Sequence, residues 1–181
     1  ATQVEYLDNH PKIGLAGGLG FAIDARNRVT NALSLPTQDA EIRWALLFGN
    51  AFVHSGVMFR RRLVSEAGYY NTNLRYAQDY DYWTRFSEKC EVGNITQRLV
   101  CWRLTSRSVT ETHFLEQQAC ADLTSMRQIA KLLDGCNAAN ERVRAPERMR
   151  GVRLLARHML AELDPEAAFA AIEDIMLLLG Q

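Results

Sequence analysis

Long hydrophobic runs are missing from this sequence, and so is an excess of charge of either sign. No stretch approaches the roughly 18 consecutive apolar residues that a membrane-spanning helix needs. The N-terminus lacks the basic and then apolar pattern of a secretion signal. The 21 basic residues are balanced by 21 acidic ones, so no net field attracts nucleic acid. We therefore expect a soluble protein of the cytoplasm that binds no nucleic acid.

Cysteine is scarce and unevenly spaced. Cys90, Cys101, Cys120 and Cys136 form no CxxC pair and have no histidine at the spacing of a zinc site. This pattern is typical of reduced thiols rather than of disulfides or structural zinc. Hydrophobic residues make up 48% of the chain, which is enough for a globular core.

The composition and periodicity of the sequence change near residue 110. Residues 1–110 mix β-like runs with short helical segments, which predicts an α/β fold with too few strands for a complete doubly wound domain. Residues 111–181 are rich in Ala, Leu, Arg and Glu with helical periodicity. They predict a tail of about three helices, the first of them over 113–134.

The elements predicted within residues 1–110 alternate between helix and strand. Helices are predicted over 2–10, 37–49, 60–68 and 79–90. Strands are predicted over 12–18, 51–59, 91–96 and 98–104, with a hairpin that turns at 25–28. Thr37 or Asp39 is the candidate N-cap of the second helix. The run GLAGGLG lacks the third glycine of a dinucleotide fingerprint, so we expect its glycines to serve close strand packing or a tight turn.

Two aspartates stand among aromatic residues in the run RYAQDYDYWTRF, residues 75–86. If Asp79 caps the following helix, Asp81 lies in its first turn, where the helix dipole favours negative charge. Alternatively, a carboxylate at a helix N-terminus flanked by aromatic side chains can take a proton from a bound hydroxyl group. Aromatic faces also pack against sugar rings. These residues alone leave both interpretations open.

A basic face is predicted on the second tail helix, where Arg150, Arg153 and Arg157 share one side. Such a face can contact phosphate or lipid headgroups, so peripheral association with the inner face of the membrane stays open. The acidic residues of the last predicted helix also explain the face, since neighbouring helices can pair their charges without a ligand.

Four short motifs follow one another between residues 54 and 103. They are HSGVMFRR (54–61), GYYN (68–71), QDYDYWTR (78–85) and CWR (101–103). Their order and gaps resemble the second half of the catalytic domain of family 2 glycosyltransferases, which are inverting nucleotide-sugar transferases with a GT-A fold. The resemblance covers roughly residues 1–110. It implies the acceptor-side half of a partial GT-A fold that lacks its N-terminal nucleotide-binding half, and hence a carboxy-terminal fragment followed by a helical tail.

The resemblance implies a role for several residues. Asp79 falls where the family has its catalytic base, which deprotonates the acceptor hydroxyl for attack on the anomeric carbon with inversion. The implied substrate-binding residues are Asp81, Trp83, Arg85, His54 and Tyr76. Thr105 stands where relatives often place a metal-binding histidine, so no metal ligand is expected in this chain. A divalent ion, Mn or Mg, would be held by the N-terminal half.

The implied function is that of a fragment of a bacterial sugar transferase of the hexosyltransferase type, in cell-envelope polysaccharide synthesis. Its partners would be a nucleotide-sugar donor and a glycan or lipid-linked acceptor. We expect the isolated chain to transfer no sugar, because the donor phosphates and the metal ion would bind elsewhere. Strand edges left without neighbours would promote self-association. The alternative is a non-catalytic α/β binding or assembly domain in which Asp79 and Asp81 only cap a helix.

Overall fold

The computed structural model describes residues 2–105 and 112–136. The chain divides into two compact units, Ala1–Ala130 and Lys131–Gln181. The second and third predicted tail helices, with the basic face of Arg150, Arg153 and Arg157, lie outside the described residues. The domain boundary at residue 110 stays a prediction. No helix within the described part of the chain is long and apolar enough to cross a membrane.

The described residues form a small sheet and helices, a mixed α/β arrangement that confirms the predicted class. The helices are α1 (Thr2–Asn9), α2 (Asp39–Leu46), α3 (Val64–Ala67), α4 (Gln78–Ser87) and α5 (Phe114–Cys136). The strands are β1 (Ile13–Ile23), β2 (Val29–Leu33), β3 (Met58–Phe59) and β4 (Glu91–Arg103). Two short 3₁₀ turns cover His54–Gly56 and Arg61–Leu63. The predicted helices at 2–10 and 79–90 and the end of α3 at Gly68 are confirmed within one to three residues.

Strand β1 is the centre of the sheet. Along one edge it pairs in parallel with β4 over its full length, residues 13–23. Along the other edge it pairs antiparallel with β3 at Leu15–Ala16 and with β2 at Gly20–Ile23. The predicted hairpin between β1 and β2 is confirmed. Its turn is held by Asp24, whose carboxylate accepts the backbone N–H groups of Arg26 and Arg28.

The glycines of β1 allow neighbouring side chains to reach the strand backbone. A Cβ atom on Gly17 would lie 2.0 Å from Asn94 Oδ1 and 2.6 Å from Phe52 Cδ1. One on Gly14 would lie 2.3 Å from Leu63 Cδ1. Real Cβ atoms do not approach other atoms so closely, so close packing on the strand, and not a tight turn, explains these glycines. The predicted end of the strand at residue 18 is wrong, because pairing with β4 continues to Ile23.

Strand β4 was predicted as two strands and is a single one. The register between β1 and β4 shifts on both sides of Leu19, which is paired with Arg98. Strand β4 continues past this irregularity, because β1 offers hydrogen-bonding partners on both sides of it. Gln97, the residue between the two predicted strands, is an exposed position within the continuous strand.

Two further local predictions are wrong. The N-cap of α2 is Gln38, and Asp39 instead accepts the backbone N–H of Val92 at 2.8 Å, which ties α2 to β4. The strand predicted over 51–59 is reduced to Met58–Phe59. The N–H of Gly56 donates to Val53 O at 2.8 Å, so this stretch satisfies its own backbone within a tight turn.

The main core lies against helices α2 and α4. Tyr80, Trp83 and Phe86 of α4 are 1% exposed or less and pack with Phe52 and Leu15. Full burial of each such side chain contributes roughly 1.5–3 kcal/mol to stability. The buried Tyr80 hydroxyl donates to Leu46 O at 2.7 Å, so its polar end is satisfied by the last turn of α2.

The cysteines described by the structure are not joined. Cys90, Cys101 and Cys120 are free thiols, in agreement with the prediction, and the side chain of Cys136 lies outside the described residues. Burial raises the pKa of the Cys90 thiol. The thiol therefore stays protonated at neutral pH, and Cys90 behaves as a core residue rather than as a nucleophile.

We expect Gly17→Ala to lower the free energy of unfolding by about 1–3 kcal/mol, the usual cost of overpacking. Asn94 cannot easily make room, because its amide donates to Pro36 O and Ala51 O. Gly49→Ala is the matched control, since a Cβ atom there meets nothing within 4 Å. Denaturant unfolding measures both variants, and equal losses of stability would contradict the close contact at Gly17.

Candidate active site

Helix α4 begins in an unusual way, which places Asp79 inside the helix. Its N-cap is Ala77, which adopts a left-handed conformation with φ 55° and ψ 26°. This conformation costs an alanine about 1–2 kcal/mol. Asp79 is the second helical residue, and no side chain caps the helix. The prediction that Asp79 caps α4 is therefore wrong, whereas both Asp79 and Asp81 lie in the first turn, where the helix dipole favours their charge.

The Asp79 carboxylate lies where three segments of the chain meet. Its Oδ2 atom accepts a hydrogen bond from Asn50 Nδ2 at 2.8 Å, and Asn50 follows α2. The same oxygen lies 3.9 Å from His54 Nδ1, in the 3₁₀ turn before β3. The Asp79 side chain is 26% exposed, so it is partly shielded from water and still within reach of a ligand.

A cluster of aromatic rings adjoins His54, the neighbour of this carboxylate. The His54 ring lies 5.9 Å from the Trp83 ring and 6.4 Å from the Tyr70 ring, and Tyr70 packs at 4.5 Å from Tyr82. Tyr70 is 43% exposed, so it presents part of its ring to solvent. Burial, and to a lesser extent the charge of Asp79, raise the pKa of the Tyr70 hydroxyl. The hydroxyl is thus protonated at neutral pH and can donate a hydrogen bond beside Asp79.

Asp81 and Arg85 form a separate, largely buried ion pair along α4. Arg85 Nη2 lies 3.0 Å from Asp81 Oδ2, and Asp81 is only 7% exposed. Arg85 also donates to the carbonyl groups of Ala67 and Tyr69, which fastens the loop after α3 onto α4. On the other side, Arg127 of α5 lies 3.9 Å from Asp81. The contacts of this pair are therefore structural, and its predicted role in substrate binding stays a prediction.

Trp83 and Tyr76 are placed differently from His54. Trp83 is 1% exposed, and its Nε1 atom has no hydrogen-bond partner among the described residues. Tyr76 stacks on His113 with ring centroids 5.3 Å apart. Its described ring contacts are thus with His113 and with the guanidinium group of Arg75, and not with the rings near His54. The structure brings His54 to Asp79 and packs Trp83 against His54. The predicted roles of Trp83 and Tyr76 in substrate binding stay predictions.

Asn50 and Tyr70 are neighbours of Asp79 that the sequence analysis missed. Tyr70 was seen only as part of the motif GYYN, with no role given to it. Asn50 follows Gly49, and such a pair is ordinary at a turn. Nothing in the sequence shows that a turn asparagine meets an aspartate 29 positions later.

The described residues do not fit a resident metal ion. Within residues 2–105 and 112–136, no group of three His, Cys, Asp or Glu side chains is arranged to hold one. His54 and Asp79 are the nearest approach to a ligand set at this site, with 3.9 Å between their facing atoms. Divalent ions such as Mg²⁺ and Ca²⁺ prefer a larger set of oxygen ligands.

The sequence of the chain is related to that of a glycosyltransferase. This relative is the amylovoran biosynthesis glycosyltransferase AmsE of Erwinia amylovora, which is 31% identical to the chain over 83 residues. The match covers 46% of the chain and 30% of AmsE, so the chain spans less than a third of the length of this relative. No family model matches the chain. The resemblance seen in the motifs is therefore supported at the level of glycosyltransferases in general.

We expect Arg85→Met to lower the free energy of unfolding by about 2–4 kcal/mol, because it leaves the buried Asp81 carboxylate without its main partner. Arg85→Lys should recover only part of this loss. The ammonium group of lysine cannot contact the Asp81 carboxylate and two carbonyl groups at the same time, as the guanidinium group does.

The control for these variants is Arg28→Lys, which alters an ion pair of the same i,i+4 spacing in the exposed hairpin turn. Little change is expected there, because exposed pairs contribute little. Thermal and denaturant unfolding compare the three proteins. An Arg85→Lys variant as stable as the wild type would show that the carbonyl contacts of Arg85 do not matter.

Proposed function

We propose that this chain is part of an inverting glycosyltransferase of family 2, with a partial GT-A fold, and that Asp79 is its general base. The observation that carries the proposal is the position of Asp79. Its carboxylate lies at the positive end of α4, is about one quarter exposed, and is held by Asn50. The sequence relationship to a glycosyltransferase supports the transferase part of this proposal.

In the proposed reaction, an Asp79 oxygen accepts the proton of an acceptor hydroxyl group. The hydroxyl oxygen attacks the anomeric carbon of the donor sugar and forms the new glycosidic bond. The bond from that carbon to the donor phosphate breaks, and the nucleoside diphosphate leaves with the bonding electron pair. Attack from the opposite face inverts the anomeric configuration. A positioned base of this kind contributes about 10²–10⁴-fold to the rate.

The surface beside Asp79 suits a carbohydrate acceptor. Tyr70 and His54 are both partly exposed next to the carboxylate, and their rings offer faces on which the C–H surface of a sugar can pack. The Tyr70 hydroxyl can donate to a sugar oxygen. Trp83 packs against the ring of His54. The ion pair between Asp81 and Arg85 fixes the loop that carries Tyr70.

The relative AmsE is named for the biosynthesis of amylovoran. By analogy we propose a role in bacterial cell-envelope polysaccharide synthesis in the cytoplasm, with a glycan or lipid-linked acceptor and a hexose donor. The nucleotide and any divalent ion are then bound by residues outside this chain. The isolated chain would accordingly transfer no sugar, because the donor would lack its binding site.

The decisive variant is Asp79→Asn, made in the protein that the complete gene encodes. We expect kcat to fall by about 10²–10⁴-fold, with little change in the KM for the donor, because the base acts in the chemical step. The side chain keeps its size, and its oxygen can still accept the Asn50 hydrogen bond, so the melting temperature should change little.

Asp8→Asn is the control for this variant, since Asp8 is an exposed carboxylate in the last turn of α1. Release of the nucleoside diphosphate from a panel of nucleotide sugars measures the rate of both proteins. Full activity of Asp79→Asn would refute the assignment of the base.

Thermal-shift titration of the 181-residue chain tests where the donor binds. Uridine, guanosine and thymidine diphosphates are added in turn, each with and without manganese. A ligand present at about 100 times its Kd would add about 2.7 kcal/mol of stability. We expect no shift in melting temperature. A manganese-dependent shift with one nucleotide would mean that these residues contain a donor site themselves.

A further inference from the structure

We propose that Asn50 is a positioning residue for Asp79. The Asn50 amide occupies one oxygen of the Asp79 carboxylate and leaves the other oxygen to take the acceptor proton. This inference rests on the proposed role of Asp79 as the base. Asn50 Nδ2 donates to Asp79 Oδ2 at 2.8 Å. Asn50 is not itself placed to react, because its amide neither accepts protons at neutral pH nor attacks carbon.

The orientation of the Asn50 amide follows from its two partners. At one end it meets the backbone N–H of Phe52, which lies 3.1 Å from Oδ1. A backbone N–H can only donate, and an ionised carboxylate can only accept. Only the orientation with Oδ1 toward Phe52 and Nδ2 toward Asp79 satisfies both groups. The amide therefore cannot flip without losing two hydrogen bonds.

The segment that carries Asn50 is held in place by the buried contacts of the two residues that follow it. Ala51 is 1% exposed, and its carbonyl oxygen accepts a hydrogen bond from Asn94 Nδ2 at 2.9 Å. Phe52 is 5% exposed, and its ring packs edge-on against Trp83 at 6.3 Å. Trp83 belongs to α4, the helix that also carries Asp79. The donor and the acceptor of the bond between Asn50 and Asp79 are thus held in one packed unit.

Both polar contacts of Asp79 fall on the same oxygen. His54 Nδ1 lies 3.9 Å from Oδ2, the atom that already accepts from Asn50. Within the described parts of the chain, Oδ1 receives no hydrogen bond. The carboxylate is therefore held through Oδ2, and Oδ1 is left without a donor among the described residues. Such an arrangement directs a single basic oxygen toward a hydroxyl group, and small errors in this direction reduce rates strongly.

Asn50→Asp removes one hydrogen bond of this side chain and keeps the other. The new carboxylate keeps the shape of the side chain and can still accept the N–H of Phe52, but it cannot donate to Asp79. We expect kcat of the complete enzyme to fall by about 10–100-fold, with the KM for the donor unchanged. Asn71→Asp is the matched control, because Asn71 Oδ1 accepts the backbone N–H of Asn73 at the same 3.1 Å. This control should keep its activity.

An exchange of the two side chains tests the contact itself. In the isolated chain, Asn50→Asp should lower the melting temperature, because it places two carboxylates against each other. Adding Asp79→Asn restores a donor and an acceptor with their places exchanged, and the melting temperature should recover. Turnover should not recover, since the base is gone. Strictly additive effects on melting would show that the two side chains do not interact, and would overturn the proposal.

The outcomes separate this inference from the proposed function. If Asp79→Asn keeps its turnover, the base is wrongly assigned and the positioning role falls with it. If Asp79→Asn loses turnover while Asn50→Asp keeps the wild-type kcat, the base stands and the role of Asn50 is refuted. A fall in kcat for Asn50→Asp together with a coupled effect on melting supports both.

Discussion

The burial of α4 on nearly every side is the constraint on which the rest of the structure depends. Tyr80, Trp83 and Phe86 fill the main core, and the hydroxyl groups of Thr84 and Ser87 are satisfied by carbonyl groups of the same helix. Only the first turn reaches the surface on the side of Asn50 and His54. The candidate base is therefore fixed by the core, since a helix so enclosed cannot rotate or slide without breaking its packing.

The glycines of β1 reach the candidate site through a short series of contacts. Gly17 leaves room for both Asn94 and Phe52 against the strand. Asn94 then holds the carbonyl group of Ala51, and Phe52 holds the amide of Asn50. A residue without a side chain in the centre of the sheet thus helps to set the position of a hydrogen bond to Asp79. The geometry of the candidate site therefore depends on the packing of the sheet.

Local signals in the sequence predicted α1, the β1 hairpin, α4 and the end of α3 at Gly68, because each depends on residues close together in the chain. The strand predicted over 51–59 was wrong, since an apolar run with strand character instead folds into a tight turn beneath the site. Asp79 was singled out by its aromatic neighbours and by the resemblance. Asn50 was not, because its importance comes from a partner on another element, and a turn asparagine has no pattern that reveals it.

The parallel pairing of β1 with β4 has a consequence for how the protein is made. The central strand leaves the ribosome about 80 residues before the partner that covers one whole edge of it. Local hairpin formation with β2 can begin at once, whereas closure of the sheet must wait until α4 has been synthesised. Contacts between residues so far apart form slowly, and a strand edge that waits for its partner can pair with other chains. During synthesis, this apolar, glycine-rich strand thus has one long edge that stays unpaired until β4 has been made.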